Sequence, residues 1–162
     1  MIILGIDPGT ASTGYGAIKY EGSKLKVLDY GVVSTPAGQA PHLRLKTLYD
    51  DLITLFDRIQ PAEIAIEQLF FSNNARTALA VGEARGVALL AAASIFAEVG
   101  EYTPLQVKQA VVGYGKATKA QVQYMVKALL SLKEKPRPDD AADGLAIAIC
   151  HAHSRRFARS TG

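Results

Sequence analysis

The opening run from Met1 to Gly14, MIILGIDPGTASTG, constrains the fold more than any other stretch of the chain. Ile2, Ile3, Leu4 and Ile6 surround Gly5 with strong strand formers and no polar alternation, the pattern of a central strand buried on both faces. Asp7 stands where that strand ends, and Pro8 and Gly9 turn the chain out of it. A carboxylate at the mouth of a buried strand is costly unless something pairs it. Asp7 is therefore either a solvated residue opening a turn or a ligand near the middle of the fold, and these fourteen residues leave both readings open.

The rest of the chain builds an α/β layer around that strand. Thr13 to Tyr20 alternates loosely up to Glu21-Gly22-Ser23, a hairpin signal, and Leu25 to Val33 follows as a third strand, so the start predicts an antiparallel meander. Leu43, Leu45, Leu48, Leu52, Leu55, Phe56 and Ile59 recur at helical spacing, and Pro61 ends that helix. Glu63 to Glu67 (EIAIE) is a short strand with Glu67 at its C-terminal end. Ser72-Asn73-Asn74 is rich in helix-capping residues, and a long small-residue helix is expected from there to Val99. In it Gly82 and Gly86 would let either the chain's own sheet or a second subunit approach closely. Gly100 to Thr103 is expected as a fifth strand, Leu105 to Val112 as a two-turn helix, Thr118 to Leu130 as an amphipathic helix, and Asp139 to about Arg156 as the last. Strands one to three are antiparallel and strands four and five join in parallel, which makes a five-stranded mixed sheet flanked by helices.

A chain of 162 residues, 49% of them hydrophobic, fits a single domain with a full core. The last few residues are expected to form a flexible tail. The Ala-rich stretch from Val87 to Val99 is short and interrupted by Glu98, so no membrane span is expected, and the single cysteine, Cys150, excludes a disulfide framework and a Cys-based zinc site. A soluble, cytoplasmic protein without a membrane partner follows as the expectation. Charge is divided unevenly: residues 1–104 carry 8 Lys/Arg against 11 Asp/Glu, and residues 105–162 carry 10 against 4. Three of those last four acids are Asp139, Asp140 and Asp143. A basic half with clustered carboxylates suits either a protein that handles a phosphate polymer or an ordinary solvated surface.

Asp140 and Asp143 are three apart on the first turn of the last helix, so they share a face. Alone, such a pair reads as a cap favoured by the helix dipole. Together with Asp7 on the central strand and Glu67 at a neighbouring strand end, it becomes an all-oxygen set suited to Mg²⁺ or Mn²⁺. Without a cation these groups would repel one another and raise their own pKa values.

Four separated blocks, GIDPGT with STG, AIEQLFF, QVKQAVVGYG and DDAADGLAIAICHAH, make the sequence resemble the RuvC-type Holliday junction resolvases in order and over essentially the whole chain. The resemblance implies a ribonuclease H-like fold for residues 1–162, a homodimer, and symmetric cutting of four-way DNA junctions in recombination and repair, beside the RuvA–RuvB branch-migration complex. It assigns Asp7, Glu67, Asp140 and Asp143 as catalytic and metal-binding residues for two ions per subunit. The family's final D-x-x-D selects Asp140, with Asp139 as the neighbouring alternative. It also implies that Lys108 and Lys119 lie near the scissile phosphates and that Phe70, with Phe71 as its rival, stacks on a base. Lys116 and Arg76 are DNA-binding candidates from the basic pattern alone. His151 lies eight residues after Asp143, where it would either assist the site or be satisfied within the fold; His42 and His153 read as surface residues. A non-catalytic junction-binding module and an actin-like or sugar-kinase phosphotransferase are the competing classes. The second also begins on an Asp-x-Gly-Thr turn but needs a duplicated domain.

Overall fold

Three strands in succession, β1 (Ile2–Asp7), β2 (Ser12–Glu21) and β3 (Lys24–Ser34), form the expected meander in the computed structural model, which describes residues 1–68 and 74–160 and side chains through Arg155. Gly22 takes the left-handed conformation in the two-residue turn between β2 and β3, which a side chain would resist. Helix α1 (Pro41–Ile59) leads to β4 (Glu63–Glu67), which pairs in parallel with β1. Helix α2 (Ala75–Ser94) leads to β5 (Glu98–Tyr102), which pairs in parallel with β4. Helices α3 (Pro104–Val112), α4 (Lys119–Leu129) and α5 (Asp139–Ser160) complete the chain. The sheet order is β3-β2-β1-β4-β5, with β1 at its centre.

The two faces of the sheet carry separate cores, as the period-two alternation of a strand requires. Ile3, Ile18 and Ala65 join a core built on α3, α4 and α5, while Leu4, Ile6, Ile64 and Ile66 join one built on α1 and α2. Helix α5 crosses β1 and β2 unusually closely. A Cβ at Gly5 would strike the Gly144 carbonyl and Ala148, and a Cβ at Gly14 would strike the backbone of Asp140. Glycine at these two positions thus lowers the start of α5 onto the mouth of β1, and this sets the distance between Asp7 and the α5 aspartates.

Several boundaries differ from the sequence expectation. The second helix stops at Ser94 rather than Val99, because Ile95 to Ala97 turn, with Phe96 at φ 57°, and Glu98 and Val99 pair with Glu63 and Ile64. β5 therefore starts two residues earlier than expected, and the strand ladder wins over the helical pattern. Helix α5 continues to Ser160, past the expected end at Arg156. Gly86 meets nothing within 4 Å, so its open side does not face the sheet; Ala84, Ala88, Ala91 and Ala92 make that contact. Helix α2 is also long and apolar enough, by length and composition, to cross a membrane, contrary to the expectation that no such run exists. The apolar turns from Ala75 that precede Val87 extend the run, and the helix docks on the sheet through its alanines.

Candidate metal and nucleic-acid site

The turn that carries Asp7 is locked from within. Thr13, fully buried on β2, donates its hydroxyl to the Gly9 carbonyl at 2.5 Å and accepts from the Gly9 N–H at 3.1 Å. Asp7 sits opposite Gly14 on β2, and Ile6 sits beside Ile66 on β4, so Glu67 follows next to Asp7 at the same end of the sheet. Helix α5 starts above this end. Ligand oxygens of Asp7, Asp140 and Asp143 lie within 4.8 Å of one another, and the Glu67 carboxyl is within hydrogen-bonding reach of Asp7. All four sequence-predicted acids are brought together. Asp139 points elsewhere: it accepts from the Gln123 amide at 3.0 Å and lies 3.5 Å from the Lys119 ammonium.

Electrostatics at this end are unfavourable without a cation. Burial, then the charge of Glu67, pushes the Asp7 carboxyl up to about 7. Burial, then the charge of Asp7, pushes Asp143 up to about 7 as well. Glu67 is raised mainly by burial and further by Asp143, while its hydrogen bond with Asp7 and the charge of Lys108 pull the other way. Acids that share a small volume in this manner ionise fully only when positive charge joins them. Hard carboxylate oxygens with no sulfur or imidazole among them fit a hard divalent cation, so the cluster is able to hold a metal ion.

Positive charge approaches from the α3 and α4 side. Lys108 and Lys119 line a cleft of about 260 Å³ with Glu67 and Asp143, over an apolar floor of Val107, Val122 and Ala146. The Lys119 ammonium lies 4.0 Å from Asp143, whose charge, ahead of that of Asp139, raises the lysine pKa. Capping boxes fix the helices that carry these lysines: Thr103 with Gln106 starts α3, and Thr118 with Gln121 starts α4. Lys116 is exposed between those helices and lines neither this cleft nor the acidic cluster. Arg76 lies on the other face, in the first turn of α2. Phe70 and Phe71 fall outside the described residues.

His151 is satisfied within the fold rather than in the site. Its Nε2 lies 2.5 Å from Glu63 and its Nδ1 lies 2.7 Å from the Tyr102 hydroxyl. His153, expected at the surface, is half-buried, and its Nδ1 lies 3.0 Å from the Ala110 carbonyl. Sequence reasoning passed over Lys135 and Arg137, which line a cleft of about 870 Å³ with Gln123, Asp139 and Asp140. The signal is KPRPDD, where two cations alternate with prolines just ahead of the acidic pair.

Comparison with known proteins places the chain in a family. Residues 3–151 match the family model described as crossover junction endodeoxyribonuclease RuvC. A crossover junction endodeoxyribonuclease RuvC from Alkaliphilus oremlandii is 59% identical over 157 residues, covering 97% of this chain and 96% of that protein. One from Ruminiclostridium cellulolyticum is 57% identical over 162 residues, covering 100% and 98%. The structure of Thermus thermophilus RuvC in complex with a Holliday junction substrate superposes with a TM-score of 0.92 at 38% identity, covering 98% of this chain and 96% of that one. The acidic cluster at the mouth of β1, on a ribonuclease H-like sheet, thus belongs to a chain that is a member of the RuvC family of crossover junction endodeoxyribonucleases.

Proposed function

We propose that this chain resolves four-way DNA junctions by metal-dependent hydrolysis of phosphodiester bonds, leaving 5′-phosphate and 3′-hydroxyl ends, in recombination and repair. The observation that carries this reading is the convergence of Asp7, Asp140 and Asp143 within 4.8 Å, with Glu67 beside Asp7 and two lysines along the adjoining cleft. In it Asp7, Glu67, Asp140 and Asp143 are the catalytic and metal-holding residues. They would hold Mg²⁺ or Mn²⁺, as two ions per subunit, and the ions when bound supply water activation and stabilisation of the charge on the departing oxygen. Lys108 and Lys119 bind the phosphates that flank the scissile bond, and Lys119 also offsets negative charge at Asp143. Phe70 stacks on an unpaired base near the branch point, and Lys116 and Arg76 contact the backbone farther out.

A homodimer presents two such sites to two equivalent strands, because two-fold protein symmetry matches a symmetric junction. The outer face of α2 supports this part of the reading: Leu79 and Leu90 are 68% and 61% exposed, and Gly86 lies between them with open space above it. Four-way junctions in the cytoplasm are the substrate, and the RuvA–RuvB complex is the partner that would deliver them. The test is incubation of a synthetic four-way junction with Mg²⁺, beside a linear duplex and an EDTA control. Paired symmetric nicks in the junction alone are expected. A mobility shift without nicks would point to a non-catalytic binding module, and ATP hydrolysis without DNA to a phosphotransferase.

A further inference from the structure

On the α1 and α2 face of the sheet a cleft of about 640 Å³ opens next to the Asp7 turn, lined by Thr10, Gln39, Arg44, Arg76 and Glu83 among others. Its position follows from the chain path. Thr10 lies three residues after Asp7, so the cleft and the α3/α4 cleft that holds Lys108 and Lys119 flank the acidic cluster from opposite faces of the sheet.

The arginine here is held in place. Arg44 donates its Nε–H to the Thr35 hydroxyl at 3.0 Å, and that hydroxyl donates in turn to the Thr10 carbonyl at 2.5 Å. The relay ties the guanidinium to the loop that carries Asp7. With Nε engaged, the two terminal nitrogens of Arg44 meet no acceptor among the described residues, and Arg76 makes no ion pair or hydrogen bond among them. A half-buried guanidinium fixed at one nitrogen and open at the other two is prepared for a bidentate acceptor. Beside it Pro41, the first residue of α1, lines the cleft, and Ala40 at the N-cap makes no side-chain hydrogen bond, so the positive helix end borders the same place. Among the described residues Glu83 is the single acid lining the cleft, against two arginines, which gives this lining a net positive charge.

We propose that this cleft is a second phosphate subsite, in which Arg44, oriented by Thr35 and assisted by Arg76, grips the DNA backbone on the far side of the acidic cluster from Lys108 and Lys119. The inference rests on the resolvase reading and adds to it a path: the backbone passes over the sheet end from one helical layer to the other, held on both sides of the cluster.

The experiment measures the affinity of the full chain for a synthetic four-way junction in Ca²⁺ as a function of salt, with melting temperatures recorded for each variant. Arg44→Gln is expected to weaken binding about tenfold, and to reduce the slope of log affinity against log salt by about one. Arg44→Lys restores the slope but only part of the affinity, since an ammonium cannot make the bidentate contact. Thr35→Val keeps the charge and loses its orientation, so the slope holds while affinity falls about threefold; this variant keeps the test open if Arg44→Gln folds poorly. Wild-type affinity and slope in folded Arg44→Gln would overturn the proposal, as would a lower melting temperature with binding unchanged. The wild-type chain is assayed alongside in Mg²⁺, and absence of junction nicking there would overturn the resolvase reading instead.

Discussion

Two glutamates four residues apart on β4, Glu63 and Glu67, occupy opposite electrostatic worlds. Glu63 is buried at the start of the strand, and burial alone would raise its pKa. Hydrogen bonds from Arg155, whose Nε donates to both carboxylate oxygens at 2.7 and 2.9 Å, and from His151 outweigh that effect and hold it below the usual value. With Nε2–H donating to Glu63, the His151 Nδ1 is free to accept the Tyr102 hydroxyl, which completes the network. Glu67, at the other end of the same strand, is raised by burial and further by the charge of Asp143, with no cation among the described residues bonded to it to reverse the shift. One end of the sheet is satisfied by the protein itself, and the other gathers acids able to hold a metal ion. The contrast separates a carboxylate that fastens α5 to the sheet from carboxylates that use the resulting placement.

The contrast can be broken most sharply at Asp7. Asp7→Asn is expected to lower junction cleavage at least a thousandfold, about 4 kcal/mol of transition-state stabilisation, while junction binding measured by mobility shift persists. Metal-free, the same variant should melt at a higher temperature at pH 8, because one repelling charge is gone. Glu63→Ala should do the reverse. It strands His151 and Arg155 and costs about 3 kcal/mol of stability in denaturant titration, and the folded fraction keeps its cation affinity.

Acidity sharpens the comparison further. The Asp7 and Asp143 carboxyls sit near 7 in the folded chain against an ordinary 3.8. Between those values the folded state binds more protons than the unfolded state, so metal-free stability should fall as pH rises from about 4 to about 7 and level off above. A divalent cation binds the ionised cluster. Saturating Mg²⁺ should therefore raise the melting temperature more at pH 8 than at pH 5, as read by differential scanning calorimetry. The smallest effect is expected at Lys119, which is more than half exposed. Lys119→Gln removes the cation nearest Asp143 and should move the rising limb of the cleavage pH profile upward by a few tenths of a unit, with junction affinity lowered about threefold.

The parts of this fold legible in the sequence are those governed by local pattern. Alternation and the Gly22 turn exposed the meander, Thr118 exposed the start of α4, and the buried run of β1 exposed its central place; Thr103, the cap of α3, read instead as the end of the fifth strand. The helix-to-strand boundary after Ser94 was not legible, because pairing of Val99 with Ile64 is a tertiary event that the apolar pattern does not distinguish from one more helical turn. Of the site, the acids stood out as charges in apolar or paired settings, and the resemblance named them together. The D-x-x-D pattern selected Asp140 over Asp139, and the seating of α5 on Gly14 gives the physical reason. His151 lies near the helical face of the site, where spacing left both assistance and a structural role open; its partners Glu63 and Tyr102 come from two other strands, and no local signal marks them. Arg44 was invisible for the same reason: its orienting threonine and the loop it reaches are separate in sequence.

Divalent cations bound among Asp7, Glu67, Asp140 and Asp143 are expected to complete the acidic end of the sheet. Crystals soaked in Mn²⁺ and measured for anomalous scattering test this expectation most directly. The account predicts strong peaks enclosed by these four carboxylates, lost in Asp7→Asn; peaks elsewhere, with this cluster empty at pH 8, would contradict it.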